Sequence, residues 1–246
     1  MPRVSWRFPL PSALTVIVPA WCESALLEEA LRPLVGRPGV EVIVAEGGGG
    51  DGETERVARL GARVVSTVAC RGAQLDAGAR AAGSPVLLFL HADCRLPGGF
   101  EDAVQSALED PAVVLGAFSL ALDAPGRWFR ILERATRWRL ALTRTPYGDQ
   151  GFFLRREDYL ASGGFRHWPI LEDVDLVRRL RRRGRILILP QPLTASARRY
   201  FERGFIRTTL RYRLASLLWS LHVPARTIWM LVGLGQRAAS TLPGRG

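Results

Sequence analysis

Residues 86–95 read V-L-L-F-L-H-A-D-C-R. Five apolar residues, 86–90, follow Pro85 and stop at His91-Ala92-Asp93. A short unbroken apolar run bounded by turn residues is the pattern of a central parallel strand buried on both faces. An acidic residue then stands past its carboxyl end, where open α/β sheets collect their ligands. A carboxylate there can hold a hard cation, and the cation can hold phosphates. Taken alone, the segment reads equally well as a strand that ends in a polar loop.

Upstream, residues 14–18 form a β-branched run ending at Pro19, residues 40–45 (V-E-V-I-V-A) a second ending at Glu46, and residues 62–66 a third. Between them, residues 23–35 place Leu26, Leu27, Ala30, Leu31 and Leu34 on one helical face, and residues 54–60 and 71–82 read as further helices. Strand–helix alternation at this spacing predicts right-handed crossovers and a parallel sheet. The second strand runs into Gly47-Gly48-Gly49-Gly50-Asp51-Gly52, a loop tight enough to need glycine.

Downstream, the pattern predicts a helix over 100–108, a strand over 113–122, an amphipathic helix over 127–142, a short strand over 152–154 and a last core strand over 186–189. A helix over 172–183 opens acidic and closes basic, as the helix dipole favours. From Arg198 the composition shifts: residues 204–221 and 224–235 read as two helices rich in Leu, with Trp219, Trp229 and arginines at 207, 211, 213 and 226. The expected organisation is one domain over 1–200 and a helical appendage over 201–246.

All 34 basic residues are arginine, and the net charge is +11. Such a balance suits anionic partners: phosphates, anionic lipid or nucleic acid. The chain has no recognisable nucleic-acid module, and its aromatic residues fall on core-like faces, which argues against nucleic acid. Cys22, Cys70 and Cys94 are far apart, so neither a disulfide framework nor a zinc site is expected and a cytoplasmic, reducing location fits. Prolines at 9, 11 and 19 interrupt the amino-terminal stretch, which reads as a tail into a strand rather than a signal peptide. The carboxyl-terminal pair, basic and Trp-bearing, suits peripheral contact with a membrane through 204–235. Packing on the domain or on a second copy, as a homodimer, is the alternative.

Four acidic positions could do chemistry: Glu46, Asp51, Asp93 and Glu172-Asp173. In a parallel sheet the loops carrying Glu46 and Asp93 open on one edge, and a nucleotide could lie across both. Asp93 could hold Mg²⁺ or Mn²⁺ bridging a diphosphate, with His91 either a second ligand, tilting preference to Mn²⁺, or a spacer. Glu172-Asp173 reads either as a pair complementing the helix dipole or as a general base acting by position on an acceptor hydroxyl. Asp149 and Gln150, in a polar turn, and Arg198 and Arg199, after the last strand, are candidate acceptor or phosphate contacts. Arg178, Arg179, Arg181, Arg182 and Arg183 read as a solvated helix face. No G-x-x-x-x-G-K-[ST] and no G-x-S-x-G occurs.

The order of these motifs resembles family 2 glycosyltransferases of the GT-A fold. The resemblance rests on T-V-I-V-P-A-W-C-E (15–23), V-A-E-G-G-G-G-D-G (44–52), His91-Ala92-Asp93 where the family carries a D-x-D-like metal motif, and Glu172-Asp173 where it carries its catalytic pair. Leu90–Asp93, Tyr147–Gly151, Glu172–Leu176 and Ser196–Tyr200 are similar to a small bacterial subgroup described as arsenosugar-biosynthesis-type or radical-SAM-associated transferases. The resemblance implies a mostly parallel Rossmann-like sheet with helices on both faces and a hexosyl-type transfer from a nucleotide-sugar donor. It also implies a divalent metal at Asp93, inversion with Asp173 as base, and nucleotide contacts from Pro19, Glu23, Glu46, Arg71 and Asp93. The chain departs from the family pattern at Cys22, Glu46, Gly49, Gly50, Glu53 and Asp76. A nucleotidyltransferase, which would carry a G-x-G-T-R-like loop and a Lys, and a non-catalytic nucleotide-sugar-binding protein at a membrane are the competing readings.

Overall fold

The structure, a computed structural model, describes residues 12–21, 24–48 and 53–232. The first half alternates as expected: β1 (Ser12–Ala20), α1 (Ser24–Leu31), β2 (Gly39–Glu46), α2 (Glu53–Leu60), β3 (Arg63–Ser66), α3 (Arg71–Ala81) and β4 (Val86–Phe89). These four strands pair in parallel in the order β3-β2-β1-β4. Burial alternates along them. Leu14, Val16 and Val18 of β1, and Leu88 of β4, join one core cluster; Ile17, Leu87 and Phe89 join another. Side chains of period two feeding two cores are the signature of a sheet covered on both faces.

The second half adds β5 (Cys94–Arg95), α4 (Phe100–Glu109), β6 (Val113–Asp123), α5 (Arg127–Thr143), β7 (Phe152–Arg155), α6 (Arg156–Ala161), α7 (Glu172–Arg181), β8 (Arg185–Ser196), α8 (Arg198–Arg203), α9 (Phe205–Ser220) and α10 (Ala225–Val232). One eight-stranded sheet results, ordered β3-β2-β1-β4-β7-β6-β8-β5. This is the GT-A arrangement, with one feature that the strand pattern did not reveal: β7 lies antiparallel between β4 and β6. Its first residue, Phe152, therefore pairs with the last of β4, Phe89. The turn that precedes β7 lands on the edge where β4 ends.

β8 is far longer than residues 186–189. Its pairing with β6 jumps from Phe118↔Leu189 to Ser119↔Pro192, and this bulge loops out Pro190 and Gln191 so that the strand continues. Proline cannot donate to a ladder, which is why the extension was illegible in sequence. The arginines of α7 are not all solvated either. Arg179 donates to Asp175 (2.8 Å), Ser162 O (2.5 Å) and Gly164 O (2.7 Å), tying the helix to the loop before it.

The carboxyl-terminal helices share an apolar cluster with the loop before α7. Ala215, Ile228 and Val232 cluster with Leu171, backed by Ile170 and Val174, and the rings of Trp168 and Trp219 meet edge to face at 5.7 Å. Among the described residues no helix is long and apolar enough to cross a membrane.

Candidate active site

The carboxyl edge of the sheet gathers the donor-side candidates. Ala20 at the end of β1 pairs with Glu46 at the end of β2, and Leu90 N–H donates to Ile17 O (2.9 Å), so His91 and Asp93 emerge beside Pro19. Gln74 of α3 fastens this edge: its buried amide donates to Ala20 O (2.6 Å) and Ala45 O (3.0 Å). Both strand-end carbonyls are thereby satisfied without water. Glu46 is buried and Pro19 half-buried. Glu23 and Asp51 lie outside the described residues.

α3 begins against the loop that feeds α7. A Cβ on Gly72 would lie 2.1 Å from Arg166 O, so only glycine permits this backbone contact. Next to it, Arg71 Nε donates to Glu172 Oε1. Glu172, expected to be catalytic beside Asp173, is fully buried. Its Oε2 has no hydrogen-bond partner among the described residues. Burial pushes its carboxyl above the usual range; Asp173 adds to this and Arg71 opposes it. For Arg71, burial acts against the charge, but Glu172 and then Asp173 outweigh it and hold the guanidinium above its ordinary value. Arg71 still keeps 34% of its side chain exposed, enough to offer donors outward. Glu172 thus holds Arg71, and the pair joins the start of α3 to the start of α7.

Asp173 serves different partners from its neighbour. Its Oδ2 accepts from Gly148 N–H (2.7 Å) and its Oδ1 from Val174 N–H (2.8 Å). The divergence begins at Leu171, which holds φ 65° and ψ 14°, a left-handed conformation that costs a non-glycine residue about 1–2 kcal/mol. Burial of the Leu171 side chain among Ala215 and Ile228 maintains it.

Gly148 opens a single 3₁₀ turn, Gly148–Gln150, just before β7. A Cβ there would sit 3.1 Å from Asp173 Oδ2 and 3.1 Å from His91 Nε2. The donor-edge imidazole and the carboxylate at the start of α7 thus flank one small space. Gln150, expected to touch substrate, is fully buried instead: its amide donates to Phe118 O (3.0 Å) and accepts from Tyr147 N–H (3.1 Å). It is a strut for the turn. Asp149 is half-buried at the same turn. Tyr147 lies under the Arg139 guanidinium (4.0 Å to the ring centroid), and its hydroxyl meets Ser216 Oγ of α9 at 3.1 Å.

Asp93 is half-buried, and its carbonyl accepts from Ser196 N–H (2.9 Å). It lines a cleft of about 60 Å³ with Glu29, Arg95, Asp123, Thr194 and Ser196. Among the described residues no three His, Cys, Asp or Glu side chains are grouped to hold a metal. A single carboxylate fits a hard cation that draws its other ligands from a diphosphate and water, and does not fit one caged by protein alone. Arg198 is exposed, its Nε 3.6 Å from Glu202 Oε1, and the side chain of Arg199 lies outside the described residues.

Asp76, a departure from the family pattern, has a structural use. Tyr159 Oη donates to its Oδ1 (2.8 Å), Arg80 Nε to its Oδ2 (2.8 Å), and His167 Nε2 lies 3.5 Å from Oδ2; Phe165 N–H in turn donates to Tyr159 Oη (3.0 Å). This network anchors the loop running to Leu171. Gly148, Tyr159, Leu171 and Arg139 were not foreseen, and only the glycine within Tyr147–Gly151 gave a signal.

Residues 15–164 match the model of glycosyl transferase family 2. The chain belongs to glycosyl transferase family 2. The matched span includes Pro19, Glu46, Arg71 and Asp93 and stops short of Glu172-Asp173, of which the fold brings Asp173 to the same small space as His91. Solved structures with the same fold include the mannosyltransferase PcManGT from Pyrobaculum calidifontis in complex with GDP-Man and Mn²⁺, with TM-score 0.63 and 19% identity, covering 91% of this chain and 68% of that one. Glucosyl-3-phosphoglycerate synthase from Mycobacterium tuberculosis, in complex with Mn²⁺, UDP and glucosyl-3-phosphoglycerate, aligns with TM-score 0.60 and 24% identity over 87% of this chain and 81% of that one. TarS from S. aureus, in complex with UDP-GlcNAc, aligns with TM-score 0.59 and 16% identity over 74% of this chain, which spans 58% of TarS. At these identities the likeness establishes the fold of this family 2 glycosyltransferase. No curated protein matches the chain significantly.

Proposed function

We propose that this family 2 glycosyltransferase moves a sugar from a nucleoside-diphosphate donor to an acceptor hydroxyl in one inverting displacement, with Asp173 as general base and a divalent cation at Asp93. The observation that carries the reading is the convergence of Asp173 Oδ2 and His91 Nε2 on the space beside Gly148, each 3.1 Å from where a Cβ would stand. That space lies between the donor edge and the start of α7, where a nucleophile and an anomeric carbon would meet.

Asp173 would take the proton of the acceptor hydroxyl as its oxygen bonds to the anomeric carbon and the bond to the diphosphate breaks. Gly148 N–H holds the accepting oxygen in place, so the base works by position. Arg71, steered by Glu172, would offer its outward donors to the departing diphosphate. Asp93 would hold the cation, with His91 as a candidate second ligand. When bound, that cation neutralises charge building on the leaving group. Pro19, Glu23 and Glu46 would face the nucleoside.

Neighbours of the same fold crystallised with GDP-Man, UDP-GlcNAc or UDP support a nucleotide-sugar donor, and their Mn²⁺ or Mg²⁺ supports a divalent cation. The His91 imidazole favours Mn²⁺ of the two. The four subgroup motifs support kinship with the arsenosugar-type transferases. Catalysis would reside in residues 1–200, with the helices beyond forming a wall behind the base. The test is release of nucleoside diphosphate from a panel of UDP-, GDP- and dTDP-sugars with Mn²⁺ or Mg²⁺. Turnover of one donor supports the reading, and saturable binding without release from any donor refutes it.

A further inference from the structure

Two segments carry almost all of the charge. α5 and residues 198–232 hold twelve arginines against two glutamates, so ten of the eleven net positive charges reside there. One of the glutamates, Glu133, is buried, accepting from Leu122 N–H (2.7 Å) and pairing with Arg130 (2.9 Å). A uniform preference for arginine over lysine would not concentrate charge this way, because the rest of the chain is balanced to within one charge.

The same elements expose large apolar side chains in stripes. On α5, Trp128, Ile131, Trp138 and Leu142 recur at helical spacing and stand out of the surface, Trp138 72% and Leu142 82% exposed. On α9 and its cap, Leu210, Leu214, Leu217 and Leu221 repeat the pattern, Leu221 66% exposed. Exposed arginines border both: Arg134 and Arg137 on α5, Arg207 and Arg213 on α9. The elements adjoin one another. Phe129 of α5 meets Phe201 of α8 (5.6 Å between centroids), and Arg139 of α5 covers Tyr147, whose hydroxyl reaches Ser216 of α9.

We propose that α5 together with α8 and α9 docks the protein on an anionic lipid bilayer, with Trp and Leu side chains entering the headgroup boundary and arginines meeting lipid phosphates. Apolar stripes bordered by arginine, with Trp, are the composition of interfacial helices. A second copy fits poorly, because a two-fold contact would set the same cationic face against itself. Among the described residues no helix is long and apolar enough to cross a bilayer, and the proposed attachment is through the exposed faces of α5, α8 and α9. α9 and α10 also pack against Ile170, Leu171 and Val174, so the docked face lies directly behind Asp173 and would hold the site at the membrane surface. The inference stands independently of the transfer chemistry.

Co-sedimentation of the full chain with vesicles decides it. Vesicles of phosphatidylcholine and phosphatidylglycerol, in a roughly 2:1 ratio, bring charge near what arginine clusters read. The protein is expected to pellet with these at low salt and to stay in the supernatant with phosphatidylcholine alone. Trp128→Ser with Trp138→Ser, and separately Arg134→Ser with Arg137→Ser, are each expected to lower partitioning about tenfold or more. All four side chains are exposed, so circular dichroism and Tm should not move. Failure to bind the anionic vesicles overturns the proposal. So does undiminished binding by both variants, or a dimer in light scattering that the tryptophan variant dissociates.

Discussion

Replacing Gly148 by alanine adds one methyl group to the space between His91 and Asp173. The new Cβ would lie 3.1 Å from both Asp173 Oδ2 and His91 Nε2, and 3.5 Å from Asp173 Cβ. Comfortable contacts begin near ~3.5 Å, so each polar atom must retreat by about 0.4 Å. The backbone does not object, because Gly148 is not among the residues of positive φ. Stiffening the unfolded chain contributes about 0.4–1 kcal/mol in favour of the variant. Pushing two side chains off their rotamers costs about 0.5–1.5 kcal/mol each. The net destabilisation is therefore at most about 2.6 kcal/mol, a fall of no more than roughly 5–10 °C in Tm at this chain length. Catalysis should suffer more in proportion. A misplacement of about 1 Å at a reacting group costs ~10²-fold, so a few tenths of an ångström with a methyl in the way should lower kcat about tenfold or more. Nucleoside diphosphate release measures the rate, and thermal unfolding measures the fold. Wild-type kcat in a folded variant would refute the placement of the reaction beside Gly148, and outright unfolding would show that this glycine serves structure alone.

Two further changes probe the supports of the site. Tyr159→Phe leaves Asp76 Oδ1 and Phe165 N–H buried without the hydroxyl they share. Each orphaned group costs about 1–3 kcal/mol, so roughly 2–6 kcal/mol should vanish from urea unfolding, and a loss below about 0.5 kcal/mol would show that the network does not anchor the loop. Glu172→Gln tests the buried carboxyl. Because burial raises its pKa in the native state, the native state binds that proton more tightly than the unfolded chain. The resulting stability is complete below the unfolded value of about 4.3 and is lost as pH rises through the native value. The stability of wild type relative to the variant should therefore be greatest in acid and fall as pH rises; a difference that grows with pH would contradict the burial.

The sheet's first half was legible because its strands are short, apolar and separated by helices of clear period. Val86–Phe89 is buried on both faces as its unbroken apolar run predicts. The direction of β7 was not legible, because strand polarity is set by the connection and not by the strand's own residues, and that direction brings Gly148 to His91. Motif position singled out Arg71 as a nucleotide contact and Glu172-Asp173 as a catalytic pair, and the fold brings Arg71 against Glu172. It could not divide their labour: adjacent acids at a helix start look alike until Leu171 adopts a left-handed backbone and sends Glu172 inward to Arg71 and Asp173 toward Gly148. Gln150 looked like a polar loop residue and is a buried strut, because both ends of its amide find backbone partners that no sequence pattern announces.

The central claim is that Asp173 removes the acceptor's proton. Its direct measurement is donor turnover by Asp173→Asn, with slow hydrolysis by water as the readout when no acceptor is supplied. With Mn²⁺ and the donor that the wild type uses, the variant should bind the donor with nearly unchanged Kd, because Asp173 makes no bond on the donor edge; its hydrogen bonds run to Gly148 and Val174. Its turnover should fall about 10²–10⁴-fold, the usual worth of a positioned base. Turnover at the wild-type rate with donor binding intact would contradict the account.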